Sequence, residues 1–175
     1  MTPAAGHRGV TLVETLIAMV IVGLLAAATQ SATHVIFTTR EEAESSQLYT
    51  ELATSLLMEV TALPFDDPET ASTTLGPDAG EWSPPTDRTL FDDVDDYTAW
   101  NGSQTLQQKD GTAIGISDLT RSVSISYANP DNPSTTSLTP TDCKLIIVKV
   151  LEKGTIVKTL TTLRLQGGRD VDFDS

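Results

Sequence analysis

One carboxylate, Glu14, stands near the start of a long apolar run, GVTLVETLIAMVIVGLLAAA, from Gly9 to Ala28. An ionisable group inside hydrocarbon is unfavourable and marks a function by default, because it needs a partner to be tolerated. A second concentration of carboxylates lies in FDDVDDYTAW, Phe91–Trp100, with Asp92, Asp93, Asp95 and Asp96. Hard cations such as calcium take several carboxylate and carbonyl oxygens, so these four aspartates form a candidate calcium site. Their spacing is not that of an EF-hand, which needs a glycine at the sharp turn and a closing glutamate. The plainer reading is a polar loop held to the core by Phe91, Tyr97 and Trp100. FDDPE, Phe65–Glu69, reads in the same plain way, as a helix exit followed by a turn.

The remaining reactive side chains are few. Cys143 is the single cysteine, so no internal disulfide forms. It opens an apolar strand-like run without a lipobox before it, and reads as a buried structural thiol. The two histidines, His7 and His34, lie in or beside the apolar segment. With no histidine beyond position 34 and no nucleophile motif, neither a catalytic triad nor a zinc cluster is expected. The sequence therefore reads as a non-enzyme that requires no cofactor, with calcium as the one candidate ion.

Charge narrows the partners. The net charge of −13 disfavours binding to a nucleic-acid backbone. Residues 41–100 hold fifteen Asp and Glu against one basic residue, Arg88, whereas residues 101–175 hold eight of each sign. The acidity belongs to one central block, open to divalent cations or a basic partner. Its plain reading is a solvated acidic loop.

The elements that position these groups follow from periodicity. Nineteen residues from Val10 to Ala28 rise about 30 Å as a helix, close to a hydrocarbon core. No proline occurs between Thr11 and Leu63, and Gly23 is the only glycine there. Leu48, Leu52, Leu56 and Val60 recur every four residues, so the helix is expected to continue as an amphipathic one. Pro64 stops it at Leu63. Residues 66–118 show no sustained period and read as a long loop with short elements. RSVSISY, Arg121–Tyr127, alternates as a half-buried strand. NPDNPSTTSLTPTD reads as a loop. CKLIIVKVL and TIVKTLTTLRL flank EKG as a hairpin. The expected fold is α+β: one long helix, then three antiparallel strands with one face covered by the apolar stripe of the helix's second half.

Three readings of the N-terminus compete. A conventional secretory signal has Arg8 as its charged part and a cut after Ala28 or Ala32. Glu14 and the unbroken helical pattern count against it. A plain membrane anchor explains the length and leaves Glu14 without a task. Third, RGVTLVETLIAMVIVGLLAA resembles the class III leader of type IV prepilins and type II secretion pseudopilins: a short basic leader ending in glycine, an apolar residue, Thr-Leu-x-Glu, then a long apolar run. Gly9 matches the residue before the cut, Val10 the new N-terminus, and Glu14 the fifth mature residue. Val10 departs from the phenylalanine that is commonest in that family, and the single cysteine departs from the disulfide of many major pilins.

That resemblance implies a pilin-like architecture with a leader at 1–9, a transmembrane and assembly helix at 10–28, its amphipathic continuation at 29–63, and a globular head at 64–175. It implies cleavage after Gly9 and N-methylation of Val10 by a prepilin peptidase and methyltransferase. It also implies that Glu14 meets the free amine of a neighbouring subunit. The partners are then other pilin or pseudopilin subunits and the inner membrane, which the chain crosses once with its head in the periplasm. The expected function is that of a minor pilin or minor pseudopilin. The alternative is a membrane-anchored extracytoplasmic binding module that does not polymerise.

Overall fold

A computed structural model of the chain describes residues 11–70, 72–78, 80–81, 88–100 and 106–167. Helix α1 spans Leu12–Thr61. The chain divides into two compact units, Met1–Ser46 and Gln47–Ser175.

In the first unit every described side chain except Ser45 is exposed, including Leu16, Ile17, Val20 and Leu24. This stretch is long and apolar enough to cross a membrane. Its threonines are satisfied within the helix. Thr15 donates to the Leu12 carbonyl at 2.8 Å, Thr33 to Thr29 at 2.8 Å and Thr39 to Val35 at 2.8 Å, and Thr29 donates to Leu25. A hydroxyl turned back on its own helix presents mostly its methyl group outward, which suits apolar surroundings.

In the second unit α1 buries Leu52, Ala53, Leu56 and Val60. The helix ends two residues before the expected Leu63. Leu63 donates to the Val60 carbonyl at 3.2 Å, a tightened last turn ahead of Pro64. The buried stripe packs with an antiparallel sheet of four strands, β1 Leu119–Asn129, β2 Asn132–Thr136, β3 Cys143–Glu152 and β4 Thr155–Leu165, in the order β2-β1-β3-β4. Val123 opposes Val148 and Ile125 opposes Ile146. These four join Leu52, Leu56 and Val60 in the core. The fold is the expected α+β, pilin-like one.

One expectation needs correction. Three strands were expected and four form among the described residues, since β2 lies inside the segment read as a loop. It pairs with β1 only at Ala128–Thr136 and Asn129–Asn132, across a bulge. An edge strand this short accommodates Pro133, so it leaves no alternating pattern to read. The acidic stretch carries short elements, as expected: a 3₁₀ helix, Asp95–Ala99, and an isolated bridge between Gln107 and Ala113. The β3–β4 hairpin is as read. Lys153 and Gly154 take φ of 49° and 82°, the left-handed pair of a type I′ turn.

Candidate functional site

The helix start and the acidic segment carry the candidate residues. Thr11 precedes the first turn, and its Oγ1 accepts the Glu14 N–H at 3.3 Å. The Thr11 carbonyl accepts the Thr15 N–H at 3.2 Å, the first helical hydrogen bond. Thr11 is thus the N-cap and Glu14 the third helical residue, the spacing of a capping box. Glu14 also lies in the first turn, at the positive end of the helix dipole. Glu14 is exposed, and no ion pair to it is present among the described residues. The T-x-x-E spacing was available in the sequence as a cap signal. Gly9 and Val10 lie outside the described residues.

In the second unit, the buried cations Arg88, Arg121 and Lys144 organise the acidic segment. Arg88 donates from Nε to Glu59 Oε1 at 2.8 Å and from Nη2 to Oε2 at 3.2 Å. Its guanidinium lies 4.5 Å over the Trp100 ring. Tyr97 donates to Glu59 at 2.7 Å and meets Phe91 edge to face at 5.1 Å. Burial pushes the Glu59 carboxyl up, but the hydrogen bonds from Arg88 and Tyr97 and the Arg88 charge outweigh it and hold it below its ordinary value. Arg121 donates to the Leu52 carbonyl at 3.3 Å, to Ser55 at 3.1 Å and to the Gln107 carbonyl at 2.5 Å. Lys144 of β3 pairs with Asp95, donates to the Phe65 carbonyl and sits 4.4 Å over the Phe65 ring.

The four aspartates do not converge on one point. Asp95 is taken by Lys144 and by the Gly76 N–H at 3.0 Å. Gly76 has φ of 123°, which favours glycine. Asp93 Oδ1 accepts the N–H groups of Asp95 at 2.7 Å and Asp96 at 3.1 Å. Asp96 Oδ2 accepts those of Asp92 at 2.9 Å and Asp93 at 3.1 Å. What comes together is Asp92, Asp96 and Glu81, with carboxylate oxygens within 4.8 Å of one another. Glu81 escaped the sequence reading because it lies outside the aspartate run.

Glu81 and Asp96 are carboxylates short of positive charge. Burial, and then the charges of Asp96, Asp92 and Asp67, push Glu81 up to about 7, against the hydrogen bond it accepts from the Asp78 N–H. Burial raises Asp96 too. Burial and the charges of Asp95 and Asp96 raise the adjacent Asp93 to about 7. Asp92 Oδ1 is a buried acceptor with no hydrogen-bond partner. An all-oxygen donor set with an orphan acceptor fits a hard divalent cation. Glu81 and Asp92 also line a cleft of about 610 Å³ with Asp67 and Asp78. There Asp67 is held at about 2 by the N–H groups of Thr70 and Glu69.

Residues 5–29 match the prokaryotic N-terminal methylation motif. The chain therefore carries a class III signal of the type IV prepilin and pseudopilin kind at the head of its long helix. No curated protein and no solved structure matches the chain.

Proposed function

We propose that this chain is a structural subunit, a minor pilin or minor pseudopilin, of a type IV pilus or type II secretion pseudopilus. One observation carries the reading: the methylation motif at residues 5–29 heads a fifty-residue helix whose first half is apolar and exposed. In this reading residues 1–9 are the leader, and a prepilin peptidase cuts after Gly9. Val10 becomes the methylated N-terminus. Residues 10–28 anchor the chain in the inner membrane and later enter the filament. Residues 29–63 continue the helix into a periplasmic head, 64–175. Glu14 then neutralises the Val10 amine of a neighbouring subunit, since a buried charge of either sign needs its counterpart. The head's part is structural, not catalytic. Its Glu81, Asp92 and Asp96 would hold a calcium ion, whose charge would relieve their mutual repulsion.

N-terminal sequencing and intact mass of membrane-extracted protein test the cut. A mature chain beginning at methylated Val10 is expected, and Gly9→Leu is expected to leave the leader in place. A chain beginning at Thr29 or Thr33 would establish a conventional signal peptide and overturn the reading.

The second reading, a non-polymerising binding module on a membrane anchor, draws on the Thr11 cap. With Thr11 as the cap, Glu14 stands at the capping-box position, where its carboxylate would serve its own helix and require no neighbour.

A further inference from the structure

The second unit carries unlike charges at the two ends of its sheet. Segment 66–81 holds Asp66, Asp67, Glu69, Asp78 and Glu81 and no lysine or arginine. Three ties fix it to the end where Cys143 faces Leu165. Gln166 donates to Asp66 at 2.6 Å, and Tyr127 donates to the Thr73 carbonyl at 3.1 Å. The Gly76 N–H bonds Asp95, which Lys144 of β3 holds from the other side. Asp66 and Glu69 remain exposed at this end.

The opposite end, at the β3–β4 turn, is rich in lysine. Lys153 sits in the turn with its side chain 73% exposed. Lys149 and Lys158 stand in the rows behind it, across from Thr159 and Val150. Glu152 and Asp118 offset part of this charge, and Asp118 lies 3.9 Å from Lys153. Strand β4, Thr155–Leu165, runs from one end to the other, so the two ends lie about 33 Å apart.

We propose that the lysine end of one copy docks on the acidic end of a second copy, Lys149, Lys153 and Lys158 against Asp66 and Glu69, a contact that rests on the subunit reading above. Charge complementarity argues for this occupant. Both halves of the contact are present on one chain, and only unlike ends bring opposite charges together. The net charge of −13 on each copy does not forbid the approach, because repulsion between distant groups is screened beyond about 8 Å at physiological salt. The groups that face each other then decide which ends meet. Two different surfaces in contact make a heterologous interface, which repeats into a row of copies instead of closing into a pair. A subunit that polymerises needs a contact of that kind.

Binding between a tagged and an untagged full chain, in detergent with chelator, measures the contact as a dissociation constant. Lys149→Glu with Lys153→Glu makes both ends acidic, and Asp66→Lys with Glu69→Lys makes both ends basic. Each variant is expected to bind itself at least about tenfold more weakly than the parent does, because like charges then face each other. The two variants mixed are expected to bind each other as tightly as the parent binds itself, which also shows that both still fold. Glu69→Lys alone, mixed with the lysine variant, repeats the test in case Asp66→Lys disturbs the Gln166 contact. No binding of the parent to itself, unchanged self-binding in the variants, or mixtures that bind no tighter than each variant alone would overturn the proposal. N-terminal sequencing reads the cut after Gly9 separately, so a chain that is cut there and fails this test loses the contact and keeps the subunit reading.

Discussion

The Arg88 guanidinium and the Glu59 carboxylate meet through two hydrogen bonds, at 2.8 and 3.2 Å, although 29 residues separate them in the chain. The pair ties the acidic segment to the helix. The Arg88 side chain is fully buried, whereas that of Glu59 keeps 20% of its exposure. Removing one partner of such a pair strands the other, at a cost of about 3–5 kcal/mol. Glu59→Ala is therefore expected to lower the head's stability by that order, read by chemical denaturation of the full chain in detergent. Glu59→Ala unfolding at the parent's denaturant midpoint would mean that the pair is incidental.

The raised carboxylates set a pH dependence of definite sign. Asp93 and Glu81 titrate in the folded head near pH 7, and at about 4 in the unfolded chain. Between those values the folded state holds more protons, so stability falls as pH rises through the window. Glu59 and Asp67 act in the opposite direction, and their contribution is lost only as pH falls below about 4. The head is expected to melt highest near pH 5 and lower at pH 8. Asp93→Asn keeps a carbonyl for the Asp95 and Asp96 N–H groups and removes the titration. It is expected to flatten the slope, and an unchanged slope would remove Asp93 from the account.

Calcium is expected to act on the same slope. An ion held by Glu81, Asp92 and Asp96 would keep Glu81 and Asp96 ionised and stabilise the head most at neutral pH. Free ligand at a hundred times its dissociation constant adds about 2.7 kcal/mol. Melting with calcium and with chelator measures this, and Glu81→Gln with Asp92→Asn is expected to abolish the difference. No change in melting at millimolar calcium would dispose of the site.

How far the sequence reached depends on how local each signal was. The helix was legible because proline is absent from Thr11 to Leu63 and the stripe of Leu52, Leu56 and Val60 keeps one period. The β3–β4 hairpin was legible from its two apolar runs around a glycine. Strand β2 was not, since two register pairs and a bulge impose no alternation on NPSTT. The buried cations were not legible either. Arg88, Lys144 and Arg121 find partners 29, 49 and 69 residues away. Only the fold supplies such pairings, and in sequence each residue reads as a solvated charge. The carboxylate trio failed for the same reason: Glu81 joins Asp92 and Asp96 through space.

Glu14 has two candidate tasks, and a pair of substitutions separates them. Within its own helix it stands at the third position of a Thr11 cap, from which a carboxylate can reach the cap's N–H; in an assembled filament it would neutralise a neighbour's amine. Thr11→Val removes the cap hydroxyl, worth about 1 kcal/mol of helix stability, and leaves the carboxylate untouched. Glu14→Gln removes the charge and keeps an acceptor at the same position of the box. If assembly is the task, Glu14→Gln leaves a buried ammonium without its counter-charge at every subunit contact, typically costing about 3–5 kcal/mol. The expected result is a Glu14→Gln chain that is made, cut after Gly9 and retained in the membrane, yet missing from sheared filaments and from crosslinked subunit pairs. Thr11→Val is expected to assemble, with some fraying at the helix start. Membrane retention itself does not need Glu14, because the residues from Leu16 to Ala28 supply the apolar span. Glu14→Gln entering filaments as well as the parent would make the cap its task, and the non-polymerising module would then be the better account of the chain.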